Sequence, residues 1–156
     1  MMAHPSWSLA EVLPIGEPMI LLSGLEAWSD DSVTVGVAID ADSLFLEDNG
    51  VPMQIGIEYM AQACAAYAGC KARAEGGRSG IGFLLGTRNF QSTRPFFRLG
   101  EKLRITASIE YQDDAMSMFT CTIDIADEAV ASARISAYQP PDGALTAEMS
   151  GGPAHG

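Results

Sequence analysis

Glu58 is the one charged side chain in a stretch of 22 residues, Asn49 to Cys70, that otherwise holds no Asp, Glu, Lys or Arg. Gln54 and Gln62 lie four residues to either side of it. On a helix that i, i+4, i+8 spacing makes one polar stripe, along which the side chains hydrogen-bond to one another. Gln62 is placed to hold the Glu58 carboxylate in one rotamer. Two readings are open. The carboxylate meets an arginine or reaches solvent, or it sits in an apolar pocket where desolvation favours the neutral acid. A group of the second kind works as a general acid or base near neutral pH.

Other candidates are sparse. The two histidines, His4 and His155, lie near the ends of the chain. Ser79, Ser92 and Cys121 have no histidine near them in sequence to activate them, which argues against nucleophilic catalysis. No metal-ligand spacing and no glycine-rich phosphate loop occurs, so neither a metal nor a cofactor is expected. Asp48 and Asn49 precede Gly50 as an Asx pair typical of turns. The three cysteines, Cys64, Cys70 and Cys121, read as reduced, buried thiols. Cys64 and Cys70, six residues apart, fall on different helix faces.

The elements that must carry these groups follow from pattern. Pro52 suits a first helical position, and the helix should run from Met53 to Arg73 or Ala74, before Gly76-Gly77. Apolar nearly all round, it needs cover from other structure. Residues 19–22 suit a first strand after two prolines, and 32–40 alternate with Val33, Val35, Val37 and Ile39 on one face. Further strands are expected at 80–91, 102–112, 115–126 and 128–138, with hairpin turns at "YQDDAM" and "IADEAV". Ser8 is an N-cap for a short turn through Val12. The order is strand, strand, long helix, then antiparallel strands, an α+β domain over residues 1–139 whose curved sheet wraps its helix. Residues 140–156 read as a flexible tail.

The 156 residues suit one domain, and 47% hydrophobic with 19% charged is a globular composition. A net charge of −11 lacks the basic footprint of nucleic-acid binding. No apolar run reaches the roughly 20 residues of a membrane span. No Lys or Arg precedes Lys71, so a secretory signal is not expected and the cytoplasm is. Residues 71–104 hold eight of the nine basic residues against two acids, leaving −17 on the remainder. That segment reads either as ordinary solvated strand faces or as a docking surface for an acidic partner.

"IEYMAQA" after a proline-led loop, with Leu13-Pro14 and Pro18-Met19 upstream, "GFLLG" and Tyr138-Gln139-Pro140 downstream, resembles the hot-dog fold 3-hydroxyacyl-ACP dehydratases. The likeness spans residues 11–138 and is nearest a subgroup associated with aryl polyene pigment synthesis. It implies a homo- or heterodimer, or a higher oligomer, joined sheet edge to sheet edge, with acyl-ACP or acyl-CoA as substrate in a tunnel at the interface. A helix glutamate and a loop histidine, one from each subunit, would share the removal of the alpha proton and the expulsion of the beta hydroxyl. Glu58 takes the glutamate role, Gln62 orients it, and Gly56 supplies an N–H to the thioester carbonyl. Phe83, Leu84 and Asn49 fall among the substrate contacts, and Arg88, Arg94, Arg98 and Lys102 face the carrier.

One position departs from the pattern. The family's loop histidine stands fourteen residues before the glutamate, and that place is Leu44. Three completions are open: Asp48 or Asn49 stands in for the imidazole, a histidine-bearing homologue completes the site and leaves this chain a degenerate subunit, or the carboxylate activates water as an acyl thioesterase.

Overall fold

In the computed structural model the described residues are 7–13, 20–76, 84–113 and 116–138. Leu9–Val12 form α1, capped by Ser8, whose side chain accepts from the Glu11 N–H while the Glu11 carboxylate accepts from the Ser8 N–H. That reciprocal box stabilises a helix too short to persist alone.

The strands are β1 (Gly24–Trp28), β2 (Ser32–Ala38), β3 (Val51–Pro52), β4 (Leu84–Ser92), β5 (Phe96–Phe97), β6 (Lys102–Gln112), β7 (Met116–Ile125) and β8 (Glu128–Tyr138). Six of them form an antiparallel sheet in the order β1-β2-β6-β7-β8-β4, and β3 pairs with β5. Alternation puts Val33, Val35 and Val37 inward on β2, Leu103, Ile105 and Ala107 on β6, and Phe119, Cys121 and Ile123 on β7. At the β7–β8 turn Ala126 and Asp127 both adopt positive φ, the twist a two-residue hairpin requires. Asp113 and Met116 close the β6–β7 turn with reciprocal backbone bonds of 3.0 and 3.2 Å.

Two differences from the sequence reading bear on the site. Residues 20–22 do not join the sheet, which begins at Gly24. Their apolar run lies over the helix instead, where the Leu21 N–H donates to Gln62 Oε1 at 2.8 Å. A buried amide thereby replaces a ladder partner. Pro52 is not a first helical residue either. It precedes a 3₁₀ turn, Met53–Ile55, and α2 runs from Gly56 to Ala74. Glu58 consequently sits in the first turn of α2 rather than a turn further in.

The sheet packs on one side of α2 through β2, β6, β7 and β8, and α1 lies across it. Gly69 makes that crossing: a Cβ there would stand 1.9 Å from the Val12 carbonyl oxygen. Tyr59, Met60, Ala63, Cys64, Ala66, Tyr67 and Cys70 are buried. The opposite face is apolar in composition but small, with Ala61, Ala65, Ala68 and Ala72 half-buried and Gln54 and Glu58 exposed. Cys64 Sγ meets Cys121 Sγ of β7 at 3.7 Å, and all three cysteines are free and buried. Among the described residues no helix is long and apolar enough to cross a membrane.

Candidate active site

A loop between β2 and β3 builds one wall of the site. Its near end is fastened to the β5–β6 connection, with the Ile39 N–H donating to the Glu101 carbonyl (2.9 Å) and the Gly100 N–H to the Ile39 carbonyl (2.8 Å). Its far end closes as a tight turn, with Glu47 and Gly50 exchanging backbone bonds of 2.9 and 3.1 Å. Gly50 is required there. Its φ is +121°, and a Cβ would stand 2.1 Å from the Phe97 carbonyl oxygen. Between the two anchors Phe45 adopts φ +69°. A left-handed aromatic residue is costly, and such strain persists only where the surroundings impose it. The result presents two large apolar side chains outward, Leu44 at 44% and Phe45 at 55% exposure.

The start of α2 builds the other wall. The Met53 N–H donates to the Pro95 carbonyl at 2.8 Å. Gly56 lies flush on the core, where a Cβ would meet Ile123 Cδ1 at 3.0 Å and Phe97 Cζ at 3.2 Å. With Gly56 facing inward, Glu58 two residues on faces outward. Gln54, Glu58 and Gln62 then line one cavity of about 520 Å³, closed by Leu21, Ile55, Ile57, Leu44 and Phe45. The first-turn position sets the Glu58 carboxylate at the positive end of the helix dipole. Glu58 forms no ion pair among the described residues. Gln62 is buried, and its Oε1 accepts from the Leu21 N–H.

Among the described residues the arrangement is an apolar chamber with one ionisable group, flanked by two amides. It suits an uncharged chain whose reactive carbon lies beside a single acid–base group. No cluster of metal-ligating side chains occurs among the described residues.

The remaining expected site residues lie elsewhere. Asp48 and Asn49 form the exposed tip of the Glu47–Gly50 turn and do not line the chamber. The Gly56 N–H is directed to the Met53 and Gln54 carbonyls of the 3₁₀ turn. Leu84 opens β4 opposite Tyr138; Phe83, His4 and His155 lie outside the described residues. Arg88, Arg98 and Lys102 are exposed. Arg94 is not available for docking as expected, because its Nη2 binds Glu101 Oε2 at 2.8 Å in a largely buried pair. Reading the sequence missed Leu21, Ile55 and Ile57, whose apolarity carries no mark of a site.

The family described as ApeP-like, ApeP dehydratase, matches residues 7–149. No curated protein matches the chain in sequence. Among solved structures, the dehydratase heterocomplex ApeI:P from Xenorhabdus doucetiae is similar at TM-score 0.84 and 26% identity, over 92% of this chain and 97% of that one. A hypothetical thioesterase from Streptococcus pneumoniae TIGR4, solved with coenzyme A, aligns at TM-score 0.59 and 12% identity over 74% and 86% of the two chains. The E. coli PaaI protein of a phenylacetic acid degradation operon aligns at 0.57 and 16%, over 74% and 81%. These last two share the hot-dog fold and nothing finer.

Proposed function

The chain belongs to the ApeP-like dehydratase family, and on that premise we propose that it is the Glu58-bearing subunit of a two-subunit dehydratase for 3-hydroxyacyl thioesters. The observation that carries the reading is the apolar chamber in which Glu58 is the one ionisable side chain among the described residues.

Dehydration removes a proton from C2 and the hydroxyl from C3, forming the C2–C3 double bond and water. One group must accept the first proton and one must protonate the departing oxygen. Glu58 supplies one of these, with Gln62 steadying its carboxylate. Among the described residues the chamber offers no second acid or base, and Leu44 occupies the position where the wider family has histidine. A partner subunit bearing an imidazole completes the pair. The ApeI:P relative is itself a dehydratase heterocomplex, and among the described residues the six-stranded sheet ends in two open strands, β1 and β4, on which a homologue can dock.

The acyl group is carried on ACP in preference to CoA. Exposed Arg88, Arg98 and Lys102 give an acidic carrier a basic face on an otherwise acidic protein. Free thiols suit the reducing cytoplasm.

The test is an assay of 3-hydroxyacyl-ACP and 3-hydroxyacyl-CoA turnover by the purified chain, with and without a co-expressed histidine-bearing homologue. Enoyl product that appears with the partner and is lost with Glu58→Gln supports the proposal. Full turnover by the chain alone rejects the two-subunit reading, and release of free acid in place of enoyl thioester makes it a thioesterase.

A further inference from the structure

The chamber around Glu58 has a neighbour. A second cavity of about 530 Å³ shares Leu21 and Leu44 with it, and sets Ser23, Asp40, Asp42, Ser43 and Tyr59 beside Ile20, Val37 and Ala38. Leu21 and Leu44 are thus common to two compartments, one mainly apolar and one mixed, with hydrogen-bonding groups.

Tyr59 is the unexplained group there. The residue is 2% exposed, with its ring against Phe97 at a centroid distance of 5.7 Å. Its hydroxyl is hydrogen-bonded to no other described residue and is not sealed in the core, since Tyr59 lines the second cavity. A phenylalanine would fill the same core space but present no polar atom to that cavity. Tyr67, one helical stretch further on, shows the usual arrangement: equally buried, it donates to the Asp30 carbonyl. Burial pushes the Tyr59 phenol up to about 12, so at neutral pH it is a donor and not an anion.

We infer that the two cavities form one substrate groove, and that Tyr59 is a substrate-binding residue whose hydroxyl donates to a neutral carbonyl or hydroxyl oxygen of the bound thioester in the second compartment. The inference rests on the thioester reading above. Asp40 and Asp42 at the rim exclude a phosphate and favour N–H or O–H donors, so the occupant is an uncharged segment carrying both acceptors and donors. Two parts of a thioester have that chemistry: the amides of a pantetheine arm, and a hydroxylated far end of the acyl chain.

Saturated thioesters that lack the 3-hydroxyl cannot be dehydrated and report binding alone. Calorimetric titration of the full-length protein, in complex with its partner subunit where turnover requires one, uses octanoyl-pantetheine, octanoyl-N-acetylcysteamine and 8-hydroxyoctanoyl-N-acetylcysteamine. Tyr59→Phe is expected to keep the melting temperature and to weaken binding about five- to tenfold, the scale of one neutral hydrogen bond. Weakening confined to the pantetheine ligand assigns the carrier arm, and weakening confined to the hydroxylated ligand assigns the acyl end. Unchanged affinity of folded Tyr59→Phe for all three overturns the inference, as does a wild type that binds none. Wild-type protein that shows Tyr59-dependent binding but forms no enoyl product from any 3-hydroxyacyl thioester, with or without its partner, counts against the dehydratase reading alone.

Discussion

Leu44 and Glu58, fourteen residues apart and on different elements, face the same chamber. Both come from one chain. Position 44, where the resemblance places a histidine, therefore borders the Glu58 chamber of its own chain. Anchoring by Ile39, Gly50 and Phe97 holds the loop in position whether or not residue 44 has chemistry to perform.

Leu44→His is expected to give the chain dehydratase activity of its own. Leu44 is 44% exposed, so a histidine there keeps solvent contact and should cost little stability. A positioned acid or base contributes about a hundredfold or more; a gain of at least tenfold in enoyl formation by the isolated variant would be clear of background. A folded variant with wild-type turnover would show that the two positions do not converge on substrate.

Glu58→Gln should lower turnover of the complex by about a hundredfold or more. The exposed carboxylate has no ion pair to lose, and its attraction to the helix N-terminus is worth less than about 1 kcal/mol. The melting temperature should change little. A large drop in melting temperature with proportionate loss of activity would make Glu58 a structural residue.

Pattern made much of the fold legible, and the exceptions have causes. Strict alternation gave β6 and β8 their observed limits, since a half-buried strand must repeat every two residues. The apolar run at 20–22 reads the same whether it enters a sheet or lies over a helix, and Gln62, forty-one residues from Leu21, decides between them. Pro52 marks a helix onset in the sequence although a 3₁₀ turn intervenes, because composition does not separate a 3₁₀ turn from an α-helix. For the site, the glutamine–glutamate stripe was readable from its period. Tyr59 was not, because a tyrosine within an apolar helix has the same pattern paired or unpaired. The basic segment was visible, but not that Glu101 already neutralises Arg94.

That last point separates two kinds of arginine. Arg88→Glu with Arg98→Glu should weaken association with an acidic carrier about tenfold at low salt, and the difference should shrink as salt is raised. Arg94→Glu should instead lower the melting temperature, because it sets two carboxylates together in a largely buried place. Carrier affinity that is indifferent to salt and to the double substitution would remove the docking surface.

Gly69→Ala isolates a packing constraint. In a free helix interior alanine is favoured over glycine by about 1 kcal/mol. Here its Cβ would lie 1.9 Å from the Val12 carbonyl oxygen, a backbone atom that cannot rotate away. Overpacking of this kind costs about 3 kcal/mol, so the clash decides the sign. Urea unfolding should show a net loss of about 2 kcal/mol. A stabilised variant would mean that α1 is not seated on α2.

Alkaline titration probes the buried helix face directly. Burial pushes Tyr59 up to about 12, and burial followed by the carboxylates of Asp30, Asp31 and Glu75 does the same for Tyr67. Burial pushes the Cys70 thiol up to about 11. In each case the fold favours the protonated, neutral form over the unfolded chain's ordinary values of 10.0 and 9.0. The stability this linkage provides is complete below those ordinary values and is lost as pH rises through the folded ones. Melting temperature should therefore fall from about pH 9 upward as Cys70 titrates, and fall more steeply between about pH 10 and pH 12 as the two tyrosines follow. Tyr59→Phe removes one of those groups and should make the upper part of the decline shallower. Tyrosinate absorbance should rise together with unfolding rather than ahead of it for the two helical tyrosines. A melting temperature that stays level through pH 12, or a full tyrosinate signal near pH 10 in the folded protein, would show that both rings reach solvent.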